Sequence, residues 1–197
     1  MSSSISRLEP ESGTPLIFFD TETTGLSWAD GDRLCEIAAL KYSPDGEFLG
    51  EFHSYFNPCR EVHPRALAVH GLTNDFLSDK PFFSEKAFEF ADFVKGGSLI
   101  AHNALFDTGF LENELAEAGA PTLSELDCCV VDTLAMAKRL FPGQKNTLDA
   151  LCDRFHIDRS ERTNHGAMID TKLLQCVFYS LLAKSVLQVQ SAGRSSR

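Results

Sequence analysis

Three observations on this sequence of 197 residues predict an α/β fold, a mixed sheet with helices on its faces. Short apolar runs bounded by turn residues fill the first third of the chain and recur later. Between the later runs lie segments with apolar residues at helical spacing. No internal repeat or long linker divides the chain, whose length suits one domain. The order is three strands, a helix, a strand, a helix, a strand and then helices, which is the order of a mixed sheet.

Each element has a local reason. Leu16-Ile17-Phe18-Phe19-Asp20 is an apolar run of strand length, and Thr23-Thr24-Gly25 breaks it. Leu34 to Tyr42 and Glu47 to Phe56 read as strands, joined by the turn chemistry of Pro44-Asp45-Gly46 into a hairpin. Pro64 to His70 and Asn74 to Leu77 read as short helical turns. Ser84 to Val94 reads as a helix capped by Ser84, with Phe88, Ala91 and Phe93 as apolar surface and Gly96-Gly97 as its stop. Ser98 to Ala101 is a short strand, Ala104 to Ala118 a helix, and Val130-Val131 the centre of another strand. Helices follow at Thr133 to Leu140, Thr147 to Phe155 and Gly166 to Leu187. Residues 1–14 read as a flexible leader, 15–187 as the domain, and 188–197 as a flexible polar tail.

Composition excludes several classes. A hydrophobic fraction of 43% against 23% charged residues excludes a wholly disordered chain. No apolar run reaches the roughly 18–20 residues of a membrane helix, and Met1 to Ser12 contains no apolar signal-peptide core. The expected compartment is therefore a cytosol. The six cysteines, Cys35, Cys59, Cys128, Cys129, Cys152 and Cys176, form no C-x-x-C pair, which argues against a zinc site. They read as reduced thiols serving as small buried hydrophobes. The net charge of −10 argues against nucleic-acid binding carried mainly by a basic surface. It leaves room for an enzyme that meets nucleic acid at one small site, with metal ions supplying positive charge.

The chemistry shows as acids where a core should be apolar. Asp20 and Glu22 lie two apart at the end of an apolar strand, so they project from one face. They are either a pair around a cation or solvated loop acids. Asp107 shares a helix face with the apolar residues Phe110, Leu111, Leu115 and Ala118. Asp170 stands in the same relation to Leu173, Leu174, Val177 and Phe178. Each is either turned toward the core or a half-exposed acid favoured by the helix dipole. Together the four make an all-oxygen set suited to magnesium or manganese rather than zinc. Two such ions about 3.5–4 Å apart form a clamp for in-line phosphoryl chemistry. His165, just ahead of Asp170 in a segment with Thr163, Asn164 and Gly166 that reads as a mobile loop, is either a base for the attacking water or an exposed bystander.

Three stretches carry a resemblance. Phe19-Asp20-Thr21-Glu22-Thr23-Thr24-Gly25, His102-Asn103-Ala104-Leu105-Phe106-Asp107 and His165-Gly166-Ala167-Met168-Ile169-Asp170 resemble, in order, the three motifs of the DnaQ-like, or DEDDh, 3′–5′ exonucleases. Val69-His70-Gly71-Leu72, Phe141-Pro142-Gly143, Asn146 to Cys152 and Arg162 to Ala167 further resemble the proofreading epsilon subunits of bacterial DNA polymerase III. The resemblance spans about Leu16 to Leu182. It implies an RNase H-like fold: a five-stranded sheet, antiparallel over its first three strands and then parallel, flanked by helices. It implies two divalent cations, Mg2+ or Mn2+, held by Asp20, Glu22, Asp107 and Asp170, with His165 as general base. His70 falls at a position that contacts the terminal nucleotide, and Thr23, Asn103 and Phe106 in motifs that line the nucleotide pocket. The implied substrate is a single-stranded or frayed DNA 3′ end. The implied partner is the polymerase III catalytic subunit, although the segment that binds it is not evident after the last helix. Arg65 departs from the pattern, which places a glutamate there.

Competing readings explain less. Asp107-Thr108-Gly109 matches the Asp-Thr-Gly of aspartic proteases, but one copy needs a dimer, and Asp20, Glu22, Asp170 and His165 stay unexplained. A non-catalytic polymerase-binding module should have lost one of the five side chains. A stand-alone exonuclease acting on RNA, or on DNA in repair, keeps the chemistry and changes the substrate; Thr23-Thr24-Gly25 leans toward DNA.

Overall fold

The computed structural model describes residues 7–160 and 165–194. Its sheet has five strands in the order β3-β2-β1-β4-β5. These are β1 (Leu16–Thr23), β2 (Leu34–Tyr42), β3 (Phe48–Tyr55), β4 (Ser98–Ala101) and β5 (Cys129–Asp132). β1, β2 and β3 pair antiparallel, whereas β1–β4 and β4–β5 are parallel, the arrangement that the family resemblance implies. The helices are α1 (Pro64–His70), α2 (Asn74–Leu77), α3 (Phe83–Val94), α4 (Ala104–Glu117), α5 (Thr133–Leu140), α6 (Leu148–Phe155) and α7 (Ala167–Arg194). A 3-10 turn, Trp28–Asp30, follows β1.

The central strand sets the layers. Ile17 and Phe19 of β1 point into one core with residues of α3 and α4. Leu16 and Phe18 point into the other, with residues of α5, α6 and α7. Strand alternation carries this division past the apolar run. Asp20 and Glu22 inherit the α7 face, and Thr21 inherits the α4 face. β1 extends to Thr23, beyond the expected end at Asp20, because β2 continues the ladder through Glu22 opposite Glu36.

Three boundaries differ from expectation. Ser84 is not the cap of α3: the helix starts at Phe83, and the Glu85 carboxylate accepts the backbone N–H of Phe82 at 2.7 Å. The expected leader is docked from Arg7 onward, where backbone bonds join Arg7 to Val130 (2.7 Å) and Asp132 (3.3 Å). That pairing covers the outer edge of β5, an edge that would otherwise be open. Finally, α7 runs to Arg194, past the expected end at Leu187 and into the expected tail. Gln188, Gln190 and Ala192 favour helix, and polarity alone does not stop one. The cysteine reading holds for Cys35 and Cys152, which are buried, but Cys59 and Cys176 are exposed.

Candidate active site

The site forms where β1, α4 and α7 meet. β1 delivers Asp20 and Glu22 to the α7 side, where Asp170 lies in the first turn of α7. From the other side α4 delivers Asp107, which accepts a hydrogen bond from the Thr21 hydroxyl at 2.7 Å. The turn that aims α4 is tight. Asn103 caps it in the left-handed region (φ 71°), a conformation asparagine tolerates, and its N–H donates to Asp132.

Burial and crowding shape the electrostatics. Glu22, Asp107 and Asp170 are buried, and Asp20 is half-buried. Burial pushes the Asp20 carboxyl well above its ordinary value, and the charges of Asp107, Glu22, Asp170 and Glu36 push it further. Burial raises Asp107 to about 7, against the downward pull of the Thr21 hydrogen bond. Such acids are costly to ionise together without a cation. Donor atoms of Glu22, Asp170 and His165 all lie within 4.8 Å of one another. Two of these three donors are carboxylates, and the group fits a divalent cation.

His165 is exposed and lies just ahead of α7. Its Nδ1 is 3.1 Å from Asp170 Oδ2, and its backbone N–H reaches Val69 O of α1 at 3.2 Å. Thr163 and Asn164, which sequence reading placed in a mobile loop around it, lie outside the described residues.

The expected nucleotide-pocket residues separate. Thr23, His70, Phe106 and Arg65 line a cleft of ≈ 700 Å³ with Thr21 and Glu22. Asn103 is not in its lining. Thr23 is buried and its hydroxyl donates to Gly25 O at 2.6 Å. His70 is also buried: Nε2 faces Thr23 O at 3.2 Å and Nδ1 accepts the N–H of Leu72 at 3.0 Å. Both ring nitrogens are thus engaged within the chain, and burial lowers its pKa. Phe106 is half-buried and packs against Phe110 with ring centroids 5.1 Å apart.

Sequence reading missed Glu36. It lies on β2 opposite Glu22, at 2% exposure. Its Oε1 is 2.7 Å from His53 Nε2, and its Oε2 accepts the backbone N–H of Ala167 at 3.2 Å. The available signal was an acid inside the otherwise apolar stretch Leu34 to Leu40.

Comparison with known proteins agrees with this architecture. The sequence pattern of the exonuclease family RNase_T matches residues 17–178. DNA polymerase III subunit epsilon of Pasteurella multocida is 41% identical over 172 residues, covering 85% of this chain and 68% of the relative. The Escherichia coli subunit of the same name is 42% identical over 174 residues, covering 85% and 71%. Among solved structures, an E. coli ExoI–ssDNA complex in a zinc-bound form shares the fold with a TM-score of 0.73 at 19% identity, over 88% of this chain and 41% of that one. Exonuclease X in complex with 5′ overhanging duplex DNA shares it with a TM-score of 0.62 at 24% identity, over 86% and 92%. The family match spans most of the chain, and the relatives agree at high identity, so the chain belongs to the RNase_T exonuclease family.

Proposed function

We propose that this exonuclease removes nucleotides one at a time from the 3′ end of single-stranded or frayed DNA and releases nucleoside 5′-monophosphates. The carrying observation is the convergence of Glu22, Asp170 and His165 within 4.8 Å, beside an Asp20 whose ionisation is opposed by its acidic neighbours. Asp20, Glu22, Asp107 and Asp170 would hold two divalent cations, magnesium or manganese. These supply Lewis-acid stabilisation of charge on the phosphodiester when bound.

The chain's own residues supply proton transfer and orientation. A hydrogen bond donated from His165 Nδ1 to Asp170 Oδ2 leaves Nε2 as the basic nitrogen, poised to take a proton from the attacking water. Its backbone is anchored on Val69, which lines the cleft. Thr21 holds Asp107, and His70 braces Thr23 through its carbonyl. Phe106 offers an aromatic face in the cleft for the terminal base.

The names of the relatives support proofreading in company with the polymerase III catalytic subunit. The net charge of −10 fits an enzyme that is handed its substrate rather than one that captures DNA by its own surface. Among the described residues no helix is long and apolar enough to cross a membrane. The test is a 5′-labelled single-stranded oligonucleotide with manganese: a ladder shortening from the unlabelled end is expected, and a chelator should stop it. Immediate release of labelled mononucleotide would overturn the polarity. Faster degradation of RNA of the same sequence would overturn the substrate.

A further inference from the structure

Glu36 is a fifth carboxylate at the catalytic end of the sheet, and none of the three motifs contains it. Its burial is not explained by stability, because a charge withdrawn from water is costly and apolar residues of similar size often replace such groups without loss. Its two oxygens have different partners. One meets His53 on β3 at 2.7 Å, and the other accepts the N–H of Ala167, the first residue of α7, at 3.2 Å. The first N–H groups of a helix have no partner inside it, so a carboxylate there fixes where the helix begins. A second stitch, from the Thr171 hydroxyl to Ala38 O at 3.2 Å, ties the same turn to the same strand.

This matters for His165. Its side chain is exposed, so packing does little to hold it. Besides the Asp170 carboxylate beside its ring, two backbone anchors flank it: its own N–H on Val69 O, and the Ala167 N–H on Glu36. We propose that Glu36 is a positioning residue for His165, and that His53 clamps the Glu36 carboxylate against the amino end of α7. The inference rests on His165 being the general base, as proposed above. Glu36 acts through the backbone and touches no substrate.

The test is a double-mutant cycle on the full chain, measuring single-turnover cleavage of a 5′-labelled oligonucleotide at saturating manganese. Misplacement of a catalytic group by about 1 Å can cost on the order of 10²-fold, so Glu36→Ala should lower the maximal rate about ten- to hundredfold while half-saturating DNA stays unchanged. In a His165→Ala background the same substitution should cost less than about twofold, since positioning an absent base gains nothing. His53→Ala, at a partly exposed ring, should lower the rate several-fold and lose its effect in the same background. It keeps the cycle readable if Glu36→Ala fails to fold. Glu36→Gln retains an oxygen for the Ala167 N–H and should return the rate to within about threefold of wild type. Equal losses in both backgrounds, no loss in the wild type, or a glutamine as slow as the alanine would each overturn the proposal. A wild-type chain that does not shorten DNA from its 3′ end would remove the exonuclease reading, and this proposal with it.

Discussion

His165 Nδ1 lies 3.1 Å from Asp170 Oδ2, so an exposed imidazole leans on a buried carboxylate. The contact joins two residues of one motif across the first turn of α7. A proton on Nδ1 would serve that carboxylate and leave Nε2 to the proposed base role, and the ring stays exposed to solvent.

Removal of the proposed base gives the first prediction. His165→Ala should lower turnover roughly 10²–10⁴-fold, the usual contribution of a positioned acid–base group. The manganese concentration giving half-maximal rate should barely move, because the carboxylates are the proposed ligands. An unchanged single-turnover rate would make His165 a bystander. A large shift in the manganese midpoint would make it a ligand instead.

Thr21 carries the second. Its hydroxyl is the donor that holds the Asp107 carboxyl down against burial. Thr21→Val keeps the shape and removes the donor. Loss of one hydrogen bond to a buried carboxylate typically costs about 1–3 kcal/mol. Asp107 should then ionise at higher pH, so the acid limb of the pH–rate profile should move upward. An acid limb that stays in place would show that Asp107 does not control it.

Much of this site was legible in the sequence because acids in apolar stripes are visible as violations of a pattern. Asp20, Asp107 and Asp170 stood out against Phe18, Phe110 and Leu173 in that way. Glu36 broke the same rule inside β2, but its significance depends on facing Glu22 across a ladder and on meeting the end of a helix far along the chain. Register and long-range contact are not written in local periodicity. The docking of Arg7 on β5 and the extra turns of α7 escaped for a related reason. A polar segment reads as loose until the edge or helix that captures it is known. The engagement of both His70 nitrogens within the chain likewise depends on where β1 ends.

The third prediction concerns acid stability. His102 places Nδ1 2.9 Å from the Thr133 hydroxyl and Nε2 2.9 Å from Asn146 O, and burial lowers its pKa below the ordinary 6.5. The unfolded chain therefore takes up a proton near pH 6.5 that the folded chain resists. The contribution is present above pH 6.5 and is lost as pH falls through that value toward the lower folded pKa. His102→Gln should shrink the drop in urea midpoint between neutral and mildly acidic pH, whatever it does to the midpoint itself. An unaltered drop would place the acid sensitivity elsewhere.

The fourth prediction joins the acids to stability, with the opposite sign. Asp107 is raised from 3.8 to about 7, and Asp20 is raised as well. Between those values the folded chain holds a proton that the unfolded chain has released. In chelator, Asp107 should make stability fall as pH rises from about 4 to about 7, with its loss complete above its folded pKa, and Asp20 should act in the same direction. A cation that binds only the native state takes the place of those protons. At a concentration about 100-fold above its dissociation constant it should add roughly 2.7 kcal/mol per site. Manganese should do so more strongly than magnesium, following the usual affinity order. At a pH high enough for Asp20 to be ionised, Asp20→Asn should raise the melting temperature of the chelated protein, since one repelling charge is gone, and it should also abolish most of the manganese shift and the activity. A mononucleotide with manganese should raise the wild-type melting temperature more than the two separate shifts added. Trp28, the only tryptophan, is 46% exposed and sits against Gly109 on the helix that carries Asp107, so its fluorescence should follow the same titration. A wild-type melting curve that manganese leaves unmoved, with and without nucleotide, would mean that these four carboxylates do not form a cation site.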